Sequence, residues 1–266
     1  EMRKVHFLLQ RMVIKGSTVY GKRRFSRLFR KYLHRRINLE QVYTIAQQIT
    51  NMYRNDGYIL SKAVVPPQKI EAGVVRINVI EGFVDRVAIQ GQVRGPRKLL
   101  SEYRRGILRS RPLKAKDLER YLLLVDDLPG VSVKSVLTPS KDKPGATNMT
   151  LILSNKAYEG SVGLDNRGTE FNGPIQINAG LSGNAVFKNY ERIGLQTVVT
   201  SNTDELQFFS GFYEQPISSE GSKLFFSASV SDSKPGDVLE EFEVVGESKT
   251  FALKITHPFI RSRAEN

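Results

Sequence analysis

The sequence predicts two copies of a small α+β unit followed by a run of antiparallel strands, and three observations predict it. Short landmarks recur at a spacing of roughly 75 residues, apolar residues at helical spacing alternate with β-rich runs over the first 157 residues, and strict period-two alternation takes over afterwards. The landmarks are Val13-Ile14-Lys15-Gly16 against Ala88-Ile89-Gln90-Gly91, Asp56-Gly57-Tyr58 against Leu128-Pro129-Gly130, and Ala72-Gly73-Val74 against Pro144-Gly145-Ala146. The glycines of the paired landmarks lie 75, 73 and 72 residues apart.

In the first unit, residues 5–14 form an apolar β-rich run and predict a strand. Residues 22–33 predict an amphipathic helix, because Phe25, Leu28, Phe29 and Tyr32 recur three and four apart with cations between them. Residues 39–55 predict a second helix with Val42, Ile45, Ala46, Ile49 and Tyr53 on one face, stopped at Gly57. Residues 58–65 and 74–80 then predict a hairpin whose connection carries Pro66, Pro67 and Gly73. The second unit repeats the pattern: strand 83–89, helices 96–108 and 114–128, and hairpin strands 131–137 and 147–153. The predicted domains are residues 1–82, 83–157 and 158–266.

A unit of this size buries one helical layer against a short sheet and leaves an edge strand open to another chain. Strand addition draws its affinity from main-chain hydrogen bonds and asks little of the guest sequence. The candidate contact residues are therefore Ile59, Ser61, Ala63 and Val65 on the first hairpin and Val131, Val133, Ser135 and Leu137 on the second, with Tyr53 and Tyr121 on neighbouring helix faces. The alternative for each is ordinary core or surface of a small domain.

After Lys156 six strands are predicted, at 160–169, 174–187, 192–201, 205–215, 223–233 and 247–258. Ile175, Ile177, Ala179 and Leu181 alternate with Gln176, Asn178, Gly180 and Ser182, and the later strands follow suit. Such lengths suit tilted strands crossing an outer membrane, which need about 9–11 residues. A soluble sandwich or closed barrel produces similar alternation. Aromatics near strand ends, among them Phe187, Tyr190, Phe208, Tyr213 and Phe225, have the distribution of membrane girdles and tip the reading toward lipid.

Composition narrows the function classes. With 40 Lys and Arg against 27 Asp and Glu the chain carries a net charge of +13. It is distributed as +11 over residues 1–82, +8 over 83–157 and −6 over 158–266. No apolar run approaches the roughly 18–20 residues of a spanning helix. Without cysteine there is no disulfide, thiolate metal site or cysteine nucleophile. His6, His34 and His257 are scattered without metal-ligand spacing, and no phosphate loop, nucleophile elbow or facing carboxylate pair is present. These observations predict no metal, no cofactor, no small-molecule substrate and no enzyme. Asp126-Asp127 read as turn or helix-end residues. The run from Lys22 to Tyr32 interleaves cations and aromatics, but its periodicity makes the aromatics a buried face and the cations a solvated one, against nucleic acid. Such a basic face equally suits anionic lipid headgroups. The start, Glu1-Met2-Arg3-Lys4-Val5-His6, shows no apolar signal segment, which is absent, removed or outside this sequence.

Two motifs in this order resemble the outer-membrane transporters of two-partner secretion, of the haemolysin activation and secretion type. Tyr121-Leu122-Leu123-Leu124-Val125-Asp126-Asp127-Leu128-Pro129-Gly130-Val131 resembles the end of a second polypeptide-transport-associated (POTRA) domain. Leu164-Asp165-Asn166-Arg167-Gly168 through Gly173 resembles the first barrel hairpin. The resemblance covers nearly the whole chain. It implies two periplasmic POTRA domains and the first strands of an antiparallel transmembrane β-barrel of sixteen strands in the Gram-negative outer membrane. It further implies capture of a secreted partner polypeptide, exported in extended form without nucleotide, with lipid around the barrel. A barrel-assembly factor of the same superfamily is the alternative. Six strands do not close such a barrel, so the chain is expected to be a fragment, with the family's pore-loop motif and terminal strand beyond Asn266 and its plug helix absent or cut at Glu1.

Overall fold

The structure, a computed structural model, describes residues 6–264. Two compact units emerge; the first takes in the chain up to Ile89 with Arg104–Tyr121 and Ser135–Leu151, and the second holds Gln90–Tyr103, Leu122–Lys134 and the chain from Ile152 onward.

In the first repeat, β1 (His6–Leu8) and β2 (Arg11–Lys15) replace the single strand expected over 5–14, whose first residue lies outside the described ones. The break has a tertiary cause. Leu9 is buried, its N–H donates to Arg35 O and its carbonyl accepts from His34 N. Gln10 and Arg11 then turn their N–H groups to Gly73 O. Thus β1 pairs with β3 (Arg36–Asn38), while β2 runs parallel to β5 (Val74–Ile80). Between them lie α1 (Lys22–Phe29), prolonged by a 3-10 turn over Arg30–Tyr32, and α2 (Leu39–Asn55). Asn38 and Gln41 close a capping box at the start of α2, each side chain accepting from the other's backbone N–H at 3.0 and 2.9 Å. The buried face of α2 (Val42, Ile45, Ala46, Ile49 and Tyr53) meets Val75, Ile77 and Val79 of β5 and forms the core. The strand expected over 58–65 shortens to β4 (Lys62–Val64), antiparallel to β5. Residues 57–61 are spent on the turn that ends α2, where Tyr58 N donates to Tyr53 O and Ser61 N to Tyr58 O.

The second repeat runs β6 (Phe83–Gln90), α3 (Arg97–Arg109), α4 (Ala115–Asp126), β7 (Val131–Pro139) and β8 (Ala146–Asn155). Its sheet order, β6-β8-β7, reproduces the β2-β5-β4 order of the first. The landmark glycines explain the recurrence. Gly16 and Gly91 have φ of +88° and +98°, and a Cβ on either would sit 2.2 Å from Val79 O or 2.0 Å from Leu153 O. Each repeat bends at its first strand's end directly against the carbonyl of its last strand, where only glycine fits. Gly57 and Gly130, then Gly73 and Gly145, share positive φ as well.

From Tyr158 the chain forms one six-stranded antiparallel meander: β9 (Tyr158–Asp165), β10 (Gln176–Asn184), β11 (Arg192–Thr200), β12 (Gln207–Pro216), β13 (Lys223–Ser233) and β14 (Gly246–Thr256). Neighbours in sequence are neighbours in the sheet, as the alternation predicts. No helix among the described residues is long and apolar enough to cross a membrane.

Candidate functional site

The register fixes two chemically distinct faces on the meander. One carries Val162, Leu164, Ile177, Leu181, Leu195, Phe209, Phe226, Val230, Phe251, Leu253 and Ile255, all exposed. A contiguous apolar wall of this extent belongs against hydrocarbon rather than water. The opposite face carries Ser161, Asn178, Gly180, Gln196, Ser210, Ser227, Ser229 and Thr250. At the end where β9 begins, this polar face bears a row of alternating charge. Arg192 Nη2 donates to Glu159 Oε2 at 3.3 Å and to Ser182 Oγ at 3.2 Å. Arg192 faces Glu214 in register, and Lys223 Nζ donates to Glu214 Oε1 at 3.2 Å. The charges of this row are thereby paired, and Phe208, Phe212 and Phe225 share the face with the small polar residues.

The sheet edges of the repeats differ. In the first repeat β4 is three residues long and its edge is satisfied from within. Ala63 N donates to Thr50 Oγ1 at 2.9 Å, and Gln68 imitates a strand against β5, its Oε1 accepting from Arg76 N at 2.7 Å and its Nε2 donating to Arg76 O at 2.8 Å. Ser61 is buried, 1% exposed, and its Oγ accepts from Gly82 N at 3.1 Å. Ile59 is exposed but lies in the turn, and Ala63 and Val65 are half-buried. The strand predicted to carry these four residues as an open edge is therefore largely absent, because the end of α2 and the Gln68 side chain occupy its place.

Tyr53 is fully buried and is a positioning residue rather than a contact residue. Its hydroxyl bridges Ser17 Oγ and Glu81 Oε1, each at 2.7 Å, and Tyr20 packs edge-on against its ring at 4.7 Å. Glu81 also accepts from Thr18 N, Thr18 Oγ1 and Val19 N. Burial alone would raise the Glu81 carboxyl, but the donors from Thr18, Tyr53 and Val19 together hold it below the usual range. Burial, followed in effect by Asp56, pushes the Tyr20 phenol up, and burial does the same to Tyr53.

In the second repeat β7 is nine residues long and forms the sheet edge. Its start is enclosed: Val131 is buried, Val133 is half-buried and its N–H donates to Asp126 Oδ1 at 3.2 Å. From Lys134 to Pro139 every residue is exposed, Ser135 and Leu137 among them, and Val136 is 46% exposed. Tyr121 is half-buried with its ring over Gly106, where a Cβ would fall within 2.4 Å of ring carbons; it packs α4 on α3. Four of the sequence-derived candidates thus share β7, with Ser135 and Leu137 on its open stretch; Tyr53, Ser61, Ala63, Val65 and Tyr121 are buried or half-buried, and Ile59 is exposed in a turn.

Sequence reasoning missed Arg261, Glu191 and Gln68. Arg261 makes a double hydrogen bond to Asp127, both at 2.6 Å, giving the second of the paired aspartates a partner 134 positions away. Glu191 is fully buried and accepts from Phe187 N and Asn189 N, closing the β10–β11 turn. None of the three has a local sequence signal. Among the described residues no group of three or more His, Asp or Glu is placed to hold a metal.

Comparison with known proteins agrees with this architecture. Residues 7–82 match the ShlB-type POTRA domain, and residues 151–266 match the haemolysin secretion/activation protein family ShlB/FhaC/HecB. The heme/hemopexin transporter protein HuxB of Haemophilus influenzae is 26% identical over 237 residues, 88% of this chain and 42% of that protein. The outer membrane transporter CdiB of Dickeya dadantii is 27% identical over 177 residues, 66% of this chain and 31% of that one. CdiB from Escherichia coli superposes with a TM-score of 0.73 at 23% identity, covering 97% of this chain and 48% of that structure. The chain spans less than half the length of these relatives. Its six-stranded sheet is the outer-membrane part and its repeats are the periplasmic part of a Gram-negative envelope protein. The chain belongs to the haemolysin secretion/activation family ShlB/FhaC/HecB, by its POTRA match over residues 7–82 and its match over residues 151–266 together.

Proposed function

We propose that the whole protein captures a large secreted partner polypeptide through its POTRA domains, residues 1–82 and 83–157, and passes it in extended form through a barrel that begins at residue 158. No nucleotide hydrolysis and no other enzymatic step takes part. The observation that carries the reading is the pairing of an open edge strand with a polar sheet face. The exposed stretch of β7, with Val136 and Leu137 on it, offers main-chain addition to an extended guest. The Ser-, Asn- and Gln-rich face opposite the apolar wall, which also carries Phe208, Phe212 and Phe225, offers it a largely polar lining. The relatives support this reading by their names, which describe transporters.

Site-specific crosslinking tests the proposal, and the absence of native cysteine makes single-cysteine variants clean. Ser135→Cys and Leu137→Cys on β7 are expected to give saturable crosslinks to the secreted partner encoded beside this gene, and Ser61→Cys none. Absence of crosslinks at both β7 positions in the folded protein would overturn strand capture by this edge. Capture of nascent membrane-protein strands in place of the secreted partner would overturn export.

A further inference from the structure

The basic face of α1 takes no part in the proposed capture, and its charges are arranged against the stability of its own helix. Eight cations lie between Lys22 and Arg36 with no acidic residue among them. Lys22, Arg23 and Arg24 crowd the first turn, where the positive end of the helix dipole disfavours cations, and the N-cap Gly21 supplies no side-chain cap. Arg23, Arg27 and Lys31 follow one another at intervals of four with Arg30 beside them, so like charges stack along one stripe. At about 100° per residue Arg23 and Arg27 fall on the side of α1 opposite Phe25, Leu28 and Phe29, and Arg30 and Lys31 follow in the 3-10 turn that prolongs it. All four are exposed, Lys31 with its Nζ over the Tyr32 ring at 5.0 Å, and Arg24, at the stripe's border, is engaged by Asp56 at 2.6 Å and by the Tyr20 ring. A helix that opposes its own dipole and repels itself along one side is relieved by an external anion.

We infer that the Arg23–Arg27–Arg30–Lys31 stripe of the first POTRA domain docks on the anionic phospholipid headgroups of the periplasmic leaflet. The stripe runs along α1 and the 3-10 turn that prolongs it as an exposed ridge, which fits a plane of phosphates. An extended acidic peptide needs a groove or an open sheet edge to add its main-chain hydrogen bonds, and none of the four cations lines the groove that Arg24 and Leu28 form with α2. Three of the four cations are arginines, whose forked donors engage phosphate oxygens in pairs.

The test uses the full-length protein in lipid nanodiscs, with Ser26→Cys on α1 carrying an environment-sensitive dye and a nitroxide quencher on the lipid headgroups. Quenching is expected to be strong in discs containing phosphatidylglycerol, weak in discs of phosphatidylcholine alone, and lost near 1 M salt, where the screening length falls to about 3 Å. Each cation removed is expected to weaken docking about fivefold. Arg27→Gln/Lys31→Gln and Arg23→Glu/Arg27→Glu therefore abolish it stepwise, while thermal melts of the same variants hold steady or rise as self-repulsion is removed. Equal quenching in neutral and anionic discs, or quenching that survives charge reversal in a folded variant, overturns the inference. Protection of the dye by polyglutamate but not by anionic discs overturns it in favour of an acidic polypeptide partner.

Discussion

Glycine 16 and its counterpart Gly91 show how much a single absent methyl group decides. Substituting Gly16→Ala forces a left-handed backbone costing roughly 1–2 kcal/mol for an L-residue and drives Cβ into a carbonyl 2.2 Å away. The expected outcome is an unfolding free energy, read from urea titration, lowered by at least that amount, whereas Gly21→Ala, with nothing within 4 Å of the added carbon, costs less than about 1 kcal/mol. Glu81 gives a second prediction at this scale. Its carboxyl sits below the usual 4.5 in the folded state, so the stabilisation from its donors is present above that pH and is lost as pH falls through the lowered value. Tyr53 and Tyr20 have raised phenols, so ionisation of the unfolded chain draws the equilibrium away from the fold once pH climbs past 10. The first repeat is expected to melt at both extremes, and Glu81→Gln is expected to flatten the acid limb of a pH–stability profile.

Elements were legible where their signal is local. Helix α2 falls on the residues its periodicity names, Leu39–Asn55, because an amphipathic face and the Asn38–Gln41 box are both written within a few positions. Removing the box with Asn38→Ala is expected to cost about 1 kcal/mol in thermal or urea unfolding. What was not legible depends on distant partners. The split of β1 from β2 follows from the backbone turning from His34 and Arg35 at Leu9 to Gly73 at Gln10 and Arg11, and β3 is the three-residue strand that pairs with β1. The candidate site divided in the same way. The sequence marks both hairpins as open edges, yet Gln68 and Thr50 fill one of them, and nothing near Ser61 announces either. On β7, Val131 through Leu137 fell within the predicted strand, and burial at its start left Ser135 and Leu137 as the exposed part of the bet.

At the scale of the molecule, the two faces of the meander make opposite demands. Leu181→Arg on the apolar wall is expected to cost about 2–4 kcal/mol near the middle of the bilayer, and Ser227→Arg on the polar face far less, when insertion of the full-length protein into lipid vesicles is titrated with denaturant. Period-two alternation predicted all six strands within a few residues at each end because each needs only its neighbours in sequence. The Arg261–Asp127 bridge was invisible for the opposite reason, joining positions 134 apart.

The strand orders of the two parts also dictate how each can be made. In a repeat the last strand lies in the middle of the sheet, with β5 between β2 and β4, so closing it requires a loop of about 60 residues and nothing of the sheet exists before Val74 is available. A repeat is therefore assembled all at once or not at all. The meander, whose strands pair in order of synthesis, can grow one hairpin at a time, so a chain halted after any of its turns keeps every pairing already formed.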